Sequence, residues 1–552
     1  MRKKGKITAA LSAGALMALF AGGMGDTAVL SDIFAGMDSY AAQGWQLTDG
    51  EWYYYGSNDA LVTNELKKSD DNWYYLGSDG RMVRNYMYED DEENIYYFNS
   101  DGAMVKNSWI LYDDGSGESN WYYFDSAGKA ARKKSDSDNI YTRSIDGKTY
   151  GFDEDGKMLY GWTEEDGELI TDEDDPFMEA RYYFGDFDDG VMRKNTWLQY
   201  EEGSEEDSNV DGISYEDKDV LWFFFDSSGK KTIPSSNKET VEKTINGSKY
   251  IFDKNGVMLS SWIDTNTSTS PTASPSYKYF SDDIDGHLMK DTWVYAVPDE
   301  DMDPEDYNDD EYSWFYVDKS GKSETNGIAK VKGKKYAFDN IGRMQTEFVL
   351  LKDGSFSDNL TVDEDDLEAE DFKNSSSEHF DELSDGDLYY FDADEEKGGQ
   401  MKTGKSIKID LSDDTYTFGF NKDGKAYGSG GVLEEVSRKY YINGLLLAAD
   451  KEMKYGLVEL SDGSFAVVNS GGTLQKGDEK ALKDGDGGYI LINEDRYYGY
   501  TDDDDHKPVW VDGAAFEYDR DAENDEHAGD EISYDADASE IPDDMVIYRA
   551  DR

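Results

Sequence analysis

The residues of this chain best equipped for chemistry are its rings. Of 552 residues, 42 are Tyr, 24 Phe and 12 Trp, and the electron-rich face of such a ring attracts organic cations. Other chemistry is scarce. The absence of Cys removes disulfides, a thiol nucleophile and any cysteine-held zinc. The four histidines, His287, His379, His506 and His527, are scattered, form no H-E-x-x-H pattern and read as surface residues. With 122 Asp and Glu, neighbouring carboxylates are inevitable and give no sign of a glycosidase pair. The turns DEDG at Asp153, DKNG at Asp253 and DGDGG at Asp484 resemble pieces of calcium loops, but none completes the twelve-position pattern. They are expected to be hairpin turns. The residues therefore point to a non-catalytic protein with no metal and no cofactor.

Charge narrows the partners. Against the acidic residues stand 55 Lys and Arg, for a formal net charge of -67, and such a chain repels nucleic acid. So acidic a composition would suit disorder, were it not for an aromatic content of 14%. Residues 1–23 combine Arg2, Lys3, Lys4 and Lys6, an apolar run from Ile7 to Phe20 and small residues, the pattern of a secretory signal peptide. The cleavage site could lie as late as about residue 42, and no later stretch is apolar enough to cross a bilayer. The expected product is secreted and has no membrane association once the signal is removed.

The elements that must position the rings repeat. An aromatic triplet, a short turn ending in Gly and an apolar residue recur as WYYLGSDGRM from Trp73, YYFNSDGAM from Tyr96, WYYFDSAGK from Trp121, YGFDEDGKM from Tyr150, YIFDKNGVM from Tyr250, WFYVDKSGK from Trp314 and YAFDNIGRM from Tyr336. Each reads as a β-hairpin closed by the Asp/Asn-Gly turn. Alternation places Trp121 and Tyr123 on one face and Tyr122 on the other. An isolated hairpin is unstable in water, so the hairpins must stack. The copies sort into three kinds whose equivalent positions lie about 86 to 101 residues apart, which suggests three hairpins per superhelical turn. The expected fold is all-β, a β-hairpin repeat solenoid, with well-formed repeats over 43–348, degenerate repeats with an acidic insert over 349–477, and an acidic, irregular C-terminal cap or tail over 478–552. Met158, Met258 and Met344, after the third-kind turns, are expected to fill gaps in the stack. Locally basic segments precede the third-kind triplets, starting at Lys129, Lys230 and Lys322. They predict either a basic stripe or simple charge balancing.

The segment GWQLTDGEWYYYGSNDALVTN, Gly44 to Asn64, resembles the choline-binding and glucan-binding repeats of Gram-positive cell-wall-binding proteins, whose unit reads Gly-Trp, a spacer, Trp-Tyr-Tyr, a turn with Gly, then Met. Eleven of the twelve Trp fit its two slots, Trp510 being the exception. Tyr150, Tyr250 and Tyr336 read as replacements of the second Trp. The resemblance implies aromatic cages between hairpins, of two Trp with a Tyr or Met. Carried onto this chain, the implied rings are Trp45 with Trp52, Trp109 with Trp121, Trp197 with Trp222, Trp293 with Trp314, and Trp73. The implied partner is a cell-wall polymer, choline-substituted teichoic acid or a glucan, bound by several weak sites acting together. The alternative is a structural or adhesion rod whose acidic inserts contact a host or partner molecule.

Overall fold

The computed structural model describes residues 43–550 apart from 114, 116, 135–138, 171–175, 202–214, 216–219, 267–274, 357–365, 394–397, 503–504, 519–528 and 533–540. The signal segment, His527 and most of the acidic insert after Glu201 lie outside the described residues. These are all-β, in many small antiparallel hairpins, with short helices at Pro304–Asn308, Ala369–Lys373 and Phe380–Leu383. The chain divides into two compact units, residues 1–232 and 233–552.

In the first unit, successive hairpins pair Gly44–Thr48 with Glu51–Tyr55, Glu65–Ser69 with Asn72–Leu76, Tyr86–Glu89 with Ile95–Phe98, and Ser108–Asp113 with Ser119–Phe124. Three more pair Tyr141–Ile145 with Lys148–Phe152, Gly161–Thr163 with Tyr182–Phe184, and Thr196–Glu201 with Val220–Phe225. The aromatic triplet is thus the second strand of each hairpin and pairs backward, with the strand before it. This corrects the expectation that the Gly-containing turn after the triplet closes the hairpin. That turn leads instead to a single bridge, such as Phe98 to Met104 or Phe152 to Met158.

The reason is that the two residues after the turn serve two different hairpins. Met104 donates its N–H to the Trp73 carbonyl of the preceding hairpin (2.8 Å), while Val105 donates to Tyr97 of its own (2.8 Å). The same division recurs at Met82 to Trp52, Met158 to Trp121 and Met192 to Thr149. Buried backbone groups need partners, and this arrangement supplies them across the gap between hairpins. Side chains complete the join. The thioethers of Met82, Met104, Met158 and Met192 rest on the turn glycines Gly102, Gly128, Gly190 and Gly229 of the following unit.

Alternation then gives each triplet two faces. Tyr122 packs with Tyr97 and Ile95 of the hairpin before, while Trp121 and Tyr123 pack with Tyr150 and Phe152 of the hairpin after. The phenyl ring that ends each triplet, Phe98, Phe124, Phe152, Phe184 or Phe225, is wholly buried.

The second unit opens with Val241–Ile245 against Ser248–Phe252, Ser261–Asp264 against Tyr277–Phe280, Thr292–Ala296 against Ser313–Val317, and Gly327–Val331 against Lys334–Phe338. Met258 on Gly286 and Met344 on Gly399 repeat the join. Around Phe348 and Phe372 the helices of the acidic insert pack over Phe418 and Phe420 into a broader core.

The C-terminal segment is not uniformly irregular, as the sequence reading has it. Lys480–Lys483, Tyr489–Asn493 and Arg496–Thr501 form a three-stranded sheet, because Ile490, Leu491 and Ile492 give this part a fully buried strand. Val546–Tyr548 returns to pair in parallel with Tyr455–Glu459. Trp510 packs on Tyr498 at 4.8 Å.

The basic segments are likewise not loops alone, since each supplies the first strand of a third-kind hairpin. Their charges are balanced locally. Arg132 pairs with Glu89 (2.8 Å), Arg143 with Asp125 (3.7 Å), and Lys249 with Glu242 (2.7 Å).

Candidate functional site: aromatic corners between hairpins

The pairing register decides which rings meet. In four hairpins the first Trp lies opposite the ring two places after the second Trp and diagonal to the second Trp itself. Trp45 faces Tyr54 while Leu47 faces Trp52, and Trp109 faces Tyr123 while Leu111 faces Trp121. Trp197 faces Phe224 while Gln199 faces Trp222, and Trp293 faces Tyr316 while Tyr295 faces Trp314. Diagonal neighbours on one face are within reach of large rings.

The resulting geometry repeats closely. Trp45 and Trp52 stand at 6.5 Å and 85°, Trp197 and Trp222 at 6.4 Å and 85°, Trp293 and Trp314 at 6.4 Å and 90°. Each is a right-angled corner of two indoles. A third ring comes from the following hairpin. Tyr74 lies 5.2 Å from Trp45, Tyr150 lies 4.8 Å from Trp109, and Tyr336 lies 4.9 Å from Trp293.

Burial separates these corners from ordinary packing. Trp45, Trp52, Trp109, Trp121, Trp197, Trp222 and Trp293 are half-buried, and Trp314 is exposed at 42%. By contrast Trp162 and Trp262 are 5% and 3% exposed. Trp162 is enclosed by Tyr183, Tyr200 and Phe223 within 5.7 Å, and Trp262 by Tyr279 and Phe315 within 4.9 Å. Their second slots hold Arg181 and Tyr277, so no second indole opens the corner.

Trp73 is the exception among the sequence candidates. Leu66, not Trp, occupies the first slot of its hairpin and faces Tyr75, so Trp73 has no indole across from it and packs near Tyr75 and Tyr96.

The sequence reading missed the role of the third ring. It takes Tyr150, Tyr250 and Tyr336 as substitutes for the second Trp, but the register moves them by one place. The second slot is filled by Thr149, Lys249 and Lys335, and the tyrosine takes the opposite face. Counting in twos back from the buried Phe152 or Phe338 reveals the shift.

Electrostatics leave these rings neutral. Burial, then Asp291, pushes the Tyr316 hydroxyl up to about 12, and burial raises that of Tyr336. Tyr316 donates to the Asp291 carboxylate at 2.5 Å, which places an anion behind one wall. Two corners carry a cation of the chain itself. Lys67 Nζ lies 5.5 Å over the Tyr54 ring and the Arg143 guanidinium 5.7 Å over Tyr123.

The turn carboxylates show no ligand geometry. Asp253 Oδ1 accepts from the N–H of Asn255 and Val257 (2.9 and 2.8 Å), and Asp484 Oδ1 from Gly487 (3.0 Å). Among the described residues no group of three or more His, Asp or Glu could hold a metal ion. No helix among them is long and apolar enough to cross a membrane.

Residues 62–109 match the family model of a choline-binding repeat, and residues 107–130 that of a putative cell wall binding repeat. No curated protein sequence matches the chain. Among solved structures it is similar to CbpJ from Streptococcus pneumoniae TIGR4, with 16% identity, 69% of this chain and 100% of that chain covered, and a TM-score of 0.32. It is similar also to choline binding protein F from Streptococcus pneumoniae, at 17% identity, 69% and 98% coverage, and a TM-score of 0.29. A third is the modular autolysin LytC of Streptococcus pneumoniae, at 18% identity, 56% of this chain covered and a TM-score of 0.31, where the match spans about half, 54%, of the autolysin. Residues 62–130 carry repeats of the choline-binding, cell-wall-binding type, a type of non-catalytic binding module.

Proposed function

We propose that the chain is a secreted, wall-associated binding protein whose indole corners hold the quaternary ammonium groups of a choline-bearing wall polymer. A quaternary ammonium donates no hydrogen bond, so a container of ring faces suits it where polar groups would not. The observation that carries this reading is the recurrence of a right-angled indole pair, at Trp45–Trp52, Trp197–Trp222 and Trp293–Trp314, with a tyrosine of the next hairpin against Trp45 and against Trp293.

The backbone supplies a second argument. The stacking hydrogen bond is accepted by the carbonyl of the second slot, and Thr149 accepts it as well as Trp52, Trp73 or Trp121 does. The join does not require an indole there. The indoles of Trp52 and Trp121 are therefore not needed for that hydrogen bond, which supports a further role for their ring faces. Each cation-π contact contributes on the order of 0.5–2 kcal/mol, which makes one corner weak and several corners on one polymer strong. Stacking of hairpins within each unit favours a solenoid, with about three hairpins per turn, as the means of presenting them.

Retention on immobilised choline, with elution by free choline at constant ionic strength, tests the proposal. Salt must be held fixed because an acidic chain binds any cationic resin. If the protein passes through at moderate salt and also ignores isolated walls, the cage reading fails. The rod alternative then takes its place, with the enclosed Trp162 and Trp262 as its model of what every Trp does.

A further inference from the structure

The corners are not equivalent, and the difference lies in one register position. In the hairpins that follow the Trp45, Trp109 and Trp293 corners, the residue opposite the third ring is Lys67 (facing Tyr74), Arg143 (facing Tyr150) or Ala329 (facing Tyr336). Each lies two pairs in from the turn, on the same hairpin face as the third ring. In the first two corners this residue brings its cation over Tyr54 and Tyr123, the rings paired with Trp45 and Trp109. In the third the methyl group of Ala329 reaches nothing comparable. Among the described residues no Lys or Arg lies over the rings of Trp293, Trp314 or Tyr336.

Resting on the function proposed above, we infer that of these three corners the one built of Trp293, Trp314 and Tyr336 is open to quaternary ammonium, and that Lys67 and Arg143 partly fill the Trp45 and Trp109 corners as built-in cations. The residue opposite the third ring is thus the specificity-determining position. Each cation is answered by a carboxylate, Lys67 by Glu65 (2.6 Å) and Arg143 by Asp125 (3.7 Å), so it competes by occupying the ring face itself rather than by repulsion at a distance. Two further features favour the Ala329 corner. Its Trp314 is the most exposed of the corner indoles, next to the exposed rings of Tyr295 (4.9 Å away) and Tyr312. Its Tyr316 wall is backed by the Asp291 carboxylate, which attracts a cation. At the Trp109 corner, by contrast, the Trp121 indole donates to Asp188 (3.4 Å), so its edge is tied to the protein.

Binding of choline to the secreted chain, measured by equilibrium dialysis alongside tryptophan fluorescence, tests the inference. Ala329→Lys is expected to weaken the tightest site by about tenfold, the loss of a single cation-π contact or more. Trp293→Ala should abolish that site. Arg143→Val, which leaves Trp109 in place, should add a site of comparable strength. Unfolding midpoints show whether Ala329→Lys is folded, and Arg143→Val tests the inference independently of it. If a folded Ala329→Lys keeps the tightest site, if Arg143→Val gains none, or if Trp109→Ala removes the tightest site, this assignment is overturned while choline binding stands. If the unaltered chain takes up no choline, both readings fall together.

Discussion

A Cβ on Gly128 would lie 2.5 Å from the Met104 sulfur. The two residues belong to successive units, and the contact shows how one hairpin fixes the next. Gly128 also has a φ of 80°, a conformation costly for any other residue but Asn or Asp. Gly147 has the same φ of 80° with nothing near its missing side chain. The pair separates backbone strain from packing. Gly147→Ala is expected to cost about 1 kcal/mol, and Gly128→Ala an additional ~1–3 kcal/mol from overpacking. Denaturant midpoints of the two variants provide the comparison. Equal losses would mean that Met104 simply swings away and that the thioether does not couple the units.

Trp162 and Trp314 predict opposite phenotypes. Trp162→Ala removes a 5% exposed indole from a closed ring cluster and should destabilise the first unit by ~3–5 kcal/mol. Trp314→Ala removes a side chain that is 42% exposed, so a stability loss under about 1 kcal/mol is expected, together with weaker retention on choline. Thermal unfolding and choline-column elution volume separate the two. Loss of stability at Trp314 with unchanged retention would make that residue part of the spine.

This contrast also marks how far the sequence was readable. The Gly-Trp and Trp-Tyr-Tyr phrases suffice to pair Trp45 with Trp52, and their variants Thr-Trp and Trp-Phe-Tyr to pair Trp293 with Trp314, because the slots lie on one face of one hairpin whatever the insert length between them. The placement of Met158, Met258 and Met344 in the stack follows from their distance to the turn glycine. The third ring was misassigned because Tyr150 and Trp73 look interchangeable by residue type, and only pairing register shows Thr149 in the Trp73 place. Residues 480–501 read as irregular tail because Asp484 and Asp486 mask a buried apolar strand starting at Tyr489. Nor does composition reveal that Lys231, in a stretch of basic charge, is among the least exposed side chains of the chain.

Lys231 is 2% exposed, donates from Nζ to the Phe177 carbonyl, and lies 5.9 Å from the ring centroids of Trp162 and Phe223. It takes the place after the turn that Met104 or Met192 occupies elsewhere, so the chain has put an ammonium where its other units put a thioether. Lys231→Met restores the residue type of the neighbouring joins and is expected to change stability by less than ~1.5 kcal/mol, since apolar replacement of a buried charge is often neutral or better. Lys231→Ala leaves the same Phe177 carbonyl unanswered and adds a void, and should cost ~2–4 kcal/mol. Chemical denaturation of the two variants decides the matter. A loss with Met as large as with Ala would show that the ammonium itself holds Phe177 over Trp162.

Asp153 gives the stack a pH dependence of definite sign. It begins the turn after Phe152, and its Oδ1 accepts from the Lys157 N–H at 2.7 Å. Burial pushes its carboxyl up to about 6, outweighing that hydrogen bond and the nearby Lys157. Since the folded chain holds this proton more tightly than the unfolded one, the group's contribution to stability is complete below the ordinary aspartate range, near 3.8. It fades as pH rises through about 6. Asp153→Asn retains an acceptor for the Lys157 N–H but cannot ionise. Relative to the unaltered chain, the variant should therefore gain on the order of 1–2 kcal/mol between pH 4 and pH 8. Unfolding midpoints measured at both pH values, at one ionic strength so that general repulsion among the other carboxylates cancels, would detect it. A difference that stays constant with pH, or one that favours aspartate at pH 8, would mean that the buried carboxylate is compensated where it stands and that the turn imposes no proton linkage on the stack.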